Sequence, residues 1–255
     1  MSARGRTAPS VAAVILAAGR GTRMGSERAK VLQLLAGRTL LSWACRAVRP
    51  VVGRVVVVVG HDRDAVRASV LGEPDGEDVR FAVQEEQLGT GHAVRCAGAE
   101  LGDIETVVVL AGDVPGLGPD TVRSLLAEHE TRGAMATVVT FRAADPTGYG
   151  RILRDEDGAV RGIVEERDVT PEQARIAEGS SGILALRAAE AVPRLERLRQ
   201  HPSGEVMLTD LVGLAVAEGL HVAAVEAPEA EVAGINTPDQ LAAAEARFAG
   251  RPPEA

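Results

Sequence analysis

The chain has 255 residues, of which 45% are hydrophobic and 25% charged, with a formal net charge of −8. This length is ample for a buried core. No basic block offsets the acidic balance, which argues against a general nucleic-acid or membrane-surface binder and requires any anionic ligand to be held by a local cluster. Two cysteines, Cys45 and Cys96, lie in helix-like apolar settings and read as reduced core residues of a cytoplasmic protein. The opening MSARGRTAPSVAAVILAAG superficially resembles a signal peptide. Its apolar run is short and passes straight into a Gly-rich segment. Residues 1–10 are therefore expected to be a disordered tail. No run is long enough to span a membrane.

In chain order, VAAVIL (11–16) predicts a strand and Leu40–Val48 a helix. RVVVVVG (54–60) is an almost unbroken β-branched run, as in a strand buried on both faces. Asp62 is placed to cap a helix running through Val70. RFAV (80–83) predicts a strand, and Thr90 is placed to cap a helix through Glu100. TVVVL (106–110) and MATVVTF (135–141) predict strands flanking a helix from Pro119 to Arg132. This alternation implies a Rossmann-like, mostly parallel α/β sheet with helices on both faces. RILRDEDGAVRGIVEE (151–166) then reads as a hairpin turning at Asp157-Gly158. Its acidic run is a solvated tip rather than a calcium loop, because the ligand spacing is absent. GILAL (182–186) predicts a strand, followed by helices Ala188–Gln200 and Leu208–Glu218. HVAAVEA (221–227) returns as a strand, and Thr237 caps a last helix, Pro238–Phe248. Residues 11–249 are expected to form one domain, divided at about residue 142, with a tail at 250–255.

Rarity marks the candidate chemistry. Of 28 basic residues only Lys30 is a lysine; Asn236 is the sole asparagine and Tyr149 the sole tyrosine. Lys30 closes LAAGRGTRMGSERAK, where Gly19, Gly21 and Gly25 let backbone N–H groups approach an anion. Arg23 adds a bidentate fork and Lys30 a compact charge, which suits a triphosphate. A dinucleotide fingerprint is disfavoured, since SERAK is no apolar helix start and no acidic residue ends the second strand. Asp113 follows a buried strand at its carboxyl end and suits a magnesium site needing few protein ligands. Asn236, just ahead of a helix cap, is placed to lend a neutral oxygen to the same metal. Gln84 offers a donor and an acceptor for a pyrimidine edge. Gly89 lies in a flexible loop beside it. His92 reads as a helix residue rather than a base, because no neighbour in the sequence would orient it.

LAAGRGTRM…K, QLGTGHA, GDVP, DPTGYGRI, GIVEERD, TDL and GIN occur in that order over roughly residues 11–248. The pattern resembles the uridylyltransferase domain of bacterial N-acetylglucosamine-1-phosphate uridylyltransferases, within the nucleotide-diphospho-sugar pyrophosphorylase superfamily. The resemblance implies that superfamily's fold, with a nucleotide-binding part (11–142) and a β-rich sugar-binding part (143–249). It implies that Leu16, Ala17, Ala18 and Gly19 line the nucleoside, with Gly21 in the same loop. Arg23 and Lys30 would bind phosphates, Gln84, Gly89 and Thr90 would meet uracil, and Asp113 and Asn236 would hold Mg²⁺. Gly150, Glu165, Ser180 and Thr209 would belong to the sugar pocket. Two positions depart from the family: Ser180 stands where Asn is usual and Met207 where Tyr is usual. The family's bifunctional enzymes continue into a hexapeptide-repeat acetyltransferase; these 255 residues contain no such repeat, so no acetyl transfer is expected of them. The implied substrates are UTP and a sugar 1-phosphate, with no nucleic-acid or membrane partner. Rival readings are transfer of another nucleotide, an unusual sugar or cyclitol phosphate, a non-catalytic sugar-nucleotide sensor and, most distantly, a dinucleotide oxidoreductase.

Overall fold

Uninterrupted β-branched runs set the centre of the molecule, whose computed structural model describes residues 8–74 and 76–249. The first half runs β1 (Ala8–Ala17), β2 (Leu34–Leu35), β3 (Arg38–Thr39), α1 (Leu40–Val48), β4 (Val52–Val59), α2 (Arg63–Leu71) and β5 (Arg80–Val83). It continues through α3 (Thr90–Cys96), α4 (Gly98–Leu101), β6 (Thr106–Ala111), α5 (Pro119–Arg132) and β7 (Ala136–Arg142). The second half contains β8 (Gly150–Arg154), β9 (Val160–Val164), β10 (Glu178–Arg187), α6 (Ala188–Leu195) and α7 (Asp210–Ala217). It ends with β11 (Val222–Glu226), α8 (Glu229–Val232) and α9 (Pro238–Phe248).

The main sheet has the order β5-β4-β1-β6-β10-β7-β11, and the β8–β9 hairpin joins it through β10. β1, β4, β5 and β6 are mutually parallel, β11 is parallel to β7, and β10 runs antiparallel to both β6 and β7. Alternate residues of β1 feed opposite faces: Ala13 and Ile15 join one buried cluster, Ala12 and Val14 another. Helices therefore cover both faces of the sheet, as the valine-rich runs require. Burying each such Val or Ile contributes roughly 1.5–3 kcal/mol.

The chain leaves β1, steps outward to β4 and β5, then returns to β6 on the other side of β1. That reversal is a topological switch point, where open α/β sheets hold their ligands beyond the carboxyl ends of the strands. A smaller cluster of Leu35, Leu40, Ile235, Ala244 and Phe248 anchors α9 beside α1. Trp43 meets Phe248 edge-on at 5.2 Å and donates its indole N–H to the Leu35 carbonyl at 2.9 Å. This anchoring fixes the loop that carries Asn236.

Several expectations are corrected. β1 begins at Ala8, so residues 8–10 are strand rather than tail; residues 1–7 and 250–255 lie outside the described residues. Asp62 precedes α2 but does not cap it: its backbone is left-handed, and its carboxylate accepts from the Ala29 amide at 3.3 Å. Thr90 is the first residue of its helix, not its cap, and its hydroxyl accepts from the Leu208 amide at 3.0 Å. The helix expected to reach Glu100 breaks at Ala97 into α3 and α4. β10 is ten residues long, twice the expected strand, and α6 stops at Leu195 rather than Gln200. Cys96 is only partly buried, whereas Cys45 is a core residue; both are free. Burial pushes the Cys45 thiol up to about 11. Thr237 caps the last helix as expected, and Gln240 completes a capping box with it. Among the described residues, no helix is long and apolar enough to cross a membrane.

Candidate active site

The carboxyl ends of β1 and β6 open into a cleft of about 410 Å³. Leu16, Ala17, Ala18, Gly19 and Gly21 line one wall, and Gln84, Gly89 and Thr90 line another. Arg23, Lys30, Asp113 and Asn236 meet at the same cleft. Every expected nucleotide, phosphate and metal residue is thus brought to one place.

Asp113 follows β6 and is 5% exposed. The Lys30 ammonium donates to its Oδ2 and, at 2.8 Å, to Oδ1 of Asn236. Arg23 donates to the same Asn236 oxygen at 2.9 Å. The loops holding the two oxygens are tied directly, because the Ile235 amide donates to the Asp113 carbonyl at 2.9 Å. Gln240 holds the Asn236 amide from the other side at 2.7 Å. A carboxylate and a neutral amide oxygen therefore converge on one cation, here an ammonium. Among the described residues there is no group of three or more His, Cys, Asp or Glu arranged as a metal cage. One carboxylate plus one neutral oxygen nonetheless fits a hard divalent cation that keeps water and phosphate oxygens as its other ligands.

Gly21 has a more specific task than nearness to an anion. Its φ is 65°, and a Cβ there would lie 2.3 Å from the Cβ of Lys30. Only glycine lets the loop close over the lysine stem. Gly89 shows the same constraint at the other end of the cleft: its φ is 96°, and a Cβ would lie 2.6 Å from the Val206 carbonyl. The Val206 amide donates to Leu88 at 2.7 Å and its carbonyl accepts from Gly91 at 2.8 Å. These bonds stitch the QLGTG loop to the segment carrying Glu205 and Met207, both of which line the cleft. Glu205 was not singled out from the sequence. It forms an ion pair with Arg167 at 2.7 Å, a contact across 38 residues with no local signature.

Gln84 is 3% exposed, and its amide nitrogen lies 3.0 Å from both the Gly89 carbonyl and His92 Nδ1. The expectation that nothing orients His92 is corrected: Gln84 lies on one side and the Cys96 sulfur, at 3.8 Å from Nε2, on the other.

The four sugar candidates are not among the residues lining this cleft. Gly150 and Ser180 are register partners on β8 and β10, with Ser180 buried. Glu165 accepts a hydrogen bond from Thr209 at 2.5 Å. Met207 does line the cleft, and its sulfur accepts from Arg167 at 3.0 Å. Tyr149 packs edge-on against Phe141 at 4.7 Å. Burial pushes the Tyr149 hydroxyl up.

A protein from Bacillus anthracis, named provisionally as a glucose-1-phosphate thymidylyltransferase, shares this architecture with a TM-score of 0.76 over 96% of this chain and 98% of its own, at 18% identity. "Bifunctional protein GlmU" of Mycolicibacterium vanbaalenii is 48% identical over 238 residues, 91% of this chain and 48% of its own length. The protein of the same name from Geobacter metallireducens is 45% identical over 243 residues, 94% of this chain and 50% of its own. The chain thus spans about half the length of these curated relatives. They bear out the nucleotidyltransferase resemblance carried by the GRGTRM and QLGTGHA motifs. A profile of the MobA-like NTP transferase domain matches residues 13–214, and the chain belongs to that family.

Proposed function

We propose that the chain is a sugar-1-phosphate uridylyltransferase, converting UTP and an N-acetylglucosamine-type sugar 1-phosphate into the UDP-sugar and pyrophosphate. The observation that carries this reading is the meeting of Lys30, Arg23, Asp113 and Asn236 in one cleft whose other end holds Gln84 and Gly89. Residues 11–142 would carry the nucleotide and residues 143–249 the sugar, through Gly150, Glu165, Ser180 and Thr209.

A phosphate oxygen of the sugar 1-phosphate attacks the α-phosphorus of UTP. The new bond joins that oxygen to the α-phosphorus, and the bond to the β-phosphate oxygen breaks. Pyrophosphate leaves with the electron pair. No general base is needed, because a phosphate monoester has a second pKa of about 6 and is already ionised at neutral pH. Catalysis then consists of positioning and charge neutralisation. Arg23 and Lys30 hold phosphate oxygens, and Gly21 keeps Lys30 over the loop. Asp113 and Asn236 would hold Mg²⁺, which neutralises phosphate charge when bound. Gln84 and Gly89 face the base.

A specific feature favours a second reading of the sugar. Met207 presents a thioether to the cleft where the family has Tyr, and Ser180 replaces Asn. An unusual sugar or cyclitol phosphate is the substrate class this would suit. The test is pyrophosphate release over four nucleoside triphosphates crossed with a panel of sugar 1-phosphates. UTP with a hexosamine phosphate is expected to give the highest kcat/KM. Turnover with no hexosamine phosphate would overturn the sugar assignment, and a different preferred nucleotide would overturn the base assignment.

A further inference from the structure

We infer that His92 is a positioning residue for nucleobase choice: together with the Gly89 carbonyl, it locks the Gln84 carboxamide in the one orientation that accepts a hydrogen bond from a pyrimidine N3–H. This rests on the uridylyltransferase reading above. The argument begins at the Gly89 carbonyl, 3.0 Å from the Gln84 amide nitrogen. A carbonyl only accepts, so the NH₂ end of the amide must face it. The same nitrogen lies 3.0 Å from His92 Nδ1. That ring nitrogen must then be the acceptor, which places the imidazole proton on Nε2, the atom 3.8 Å from Cys96 Sγ. Both amide hydrogens of Gln84 are engaged, and Oε1 is the polar atom left to meet a base in the cleft that Gln84 lines.

The consequence is selective. Uracil presents N3–H, a donor that matches Oε1. Cytosine presents a bare N3, which opposes it. To accept cytosine, Gln84 would have to flip its amide and set its oxygen against the Gly89 carbonyl, and His92 would have to move its proton from Nε2, beside Cys96, to Nδ1, in a buried site. His92 is not among the residues lining the cleft, so it acts through Gln84.

The test uses His92→Leu, which removes the acceptor, and His92→Asn, whose side-chain oxygen can take the place of Nδ1. His92→Leu is expected to raise the KM for UTP about tenfold, the scale of one hydrogen bond. kcat should stay within about threefold, and the UTP-over-CTP ratio of kcat/KM should fall about tenfold. His92→Asn should remain within about threefold of the wild type in all three. Nitrogen-15 NMR of the histidines in the wild-type protein supplies a readout independent of any variant: Nδ1 of His92 should show the unprotonated, pyridine-type shift and Nε2 the protonated one. The reverse tautomer, an unchanged UTP-over-CTP ratio in His92→Leu, or a loss confined to kcat would overturn the inference while leaving uridylyl transfer intact. A wild-type protein that prefers another nucleotide would overturn both.

Discussion

Lys30 and Asp113 stand 83 residues apart in the chain, yet the ammonium of one donates directly to the carboxylate of the other. The pair, with Asn236, defines a single cation position served by oxygens from two loops. On the proposed reading a divalent ion takes those oxygens during turnover, and Lys30 turns its charge to the phosphates.

Lys30→Ala, assayed with saturating magnesium, should cut kcat by ~10²-fold or more, the scale of one lost charge contact in the transition state. Gly21→Ala should reproduce part of this defect, about 10–100-fold, because its Cβ would displace the lysine stem. Steady-state kinetics with a melting curve for each variant checks both. Near-normal turnover in folded Lys30→Ala protein would remove Lys30 from the mechanism.

Asp113→Asn keeps the shape of the site but loses its charge. The magnesium concentration for half-maximal activity should rise about tenfold or more, in keeping with a charged ligand replaced by a neutral one. Excess EDTA should abolish wild-type activity, and magnesium should restore it. A chelated enzyme that keeps full activity rules out the shared metal site.

Much of this site could be read from the sequence, because the chain uses Arg for every basic position but Lys30 and has a single asparagine. Lys30, Asn236, Asp113 and Gln84 stood out by rarity or by motif, and the structure brings all four to one cleft. The valine runs likewise located β1, β4 and β6. Contacts between distant segments could not be read this way. The Asp62 carboxylate serves Ala29 and the Thr90 hydroxyl serves Leu208, although each lies at a helix start where capping is the local expectation. The first half of β10, EGSSG, has no strand propensity and is held by pairing with β7 and β8. His92 looked isolated because its partner Gln84 belongs to the preceding segment and turns back only in the fold.

Ser180→Asn combined with Met207→Tyr should sharpen selectivity for the N-acetylated sugar phosphate over glucose 1-phosphate. A regained paired polar contact is worth about 1–3 kcal/mol, or roughly 10–100-fold in relative kcat/KM. Comparing the two substrates in wild type and double variant checks this. Wild-type selectivity that already spans several decades would show that the two replacements leave recognition of the sugar untouched.

His129 is a buried structural histidine whose Nδ1 lies 2.9 Å from the Thr137 hydroxyl. Burial, reinforced by Arg187, lowers its pKa from 6.5 to about 4. The folded state therefore resists a proton that the unfolded chain accepts. Stability is full above about pH 6.5 and declines as pH falls from there toward about 4. The loss is on the order of 3 kcal/mol. Urea denaturation across this range should show a flatter profile for His129→Gln than for the wild type. Parallel profiles would assign the slope to other groups.

The reaction itself is tested most directly by isotope. A sugar 1-phosphate labelled with oxygen-18 in its phosphate group is incubated with unlabelled UTP and magnesium, and both products are weighed by mass spectrometry. Attack on the α-phosphorus sends all of the label into the UDP-sugar and releases unlabelled pyrophosphate. Label in a released phosphate product, or turnover that forms no pyrophosphate, would contradict uridylyl transfer.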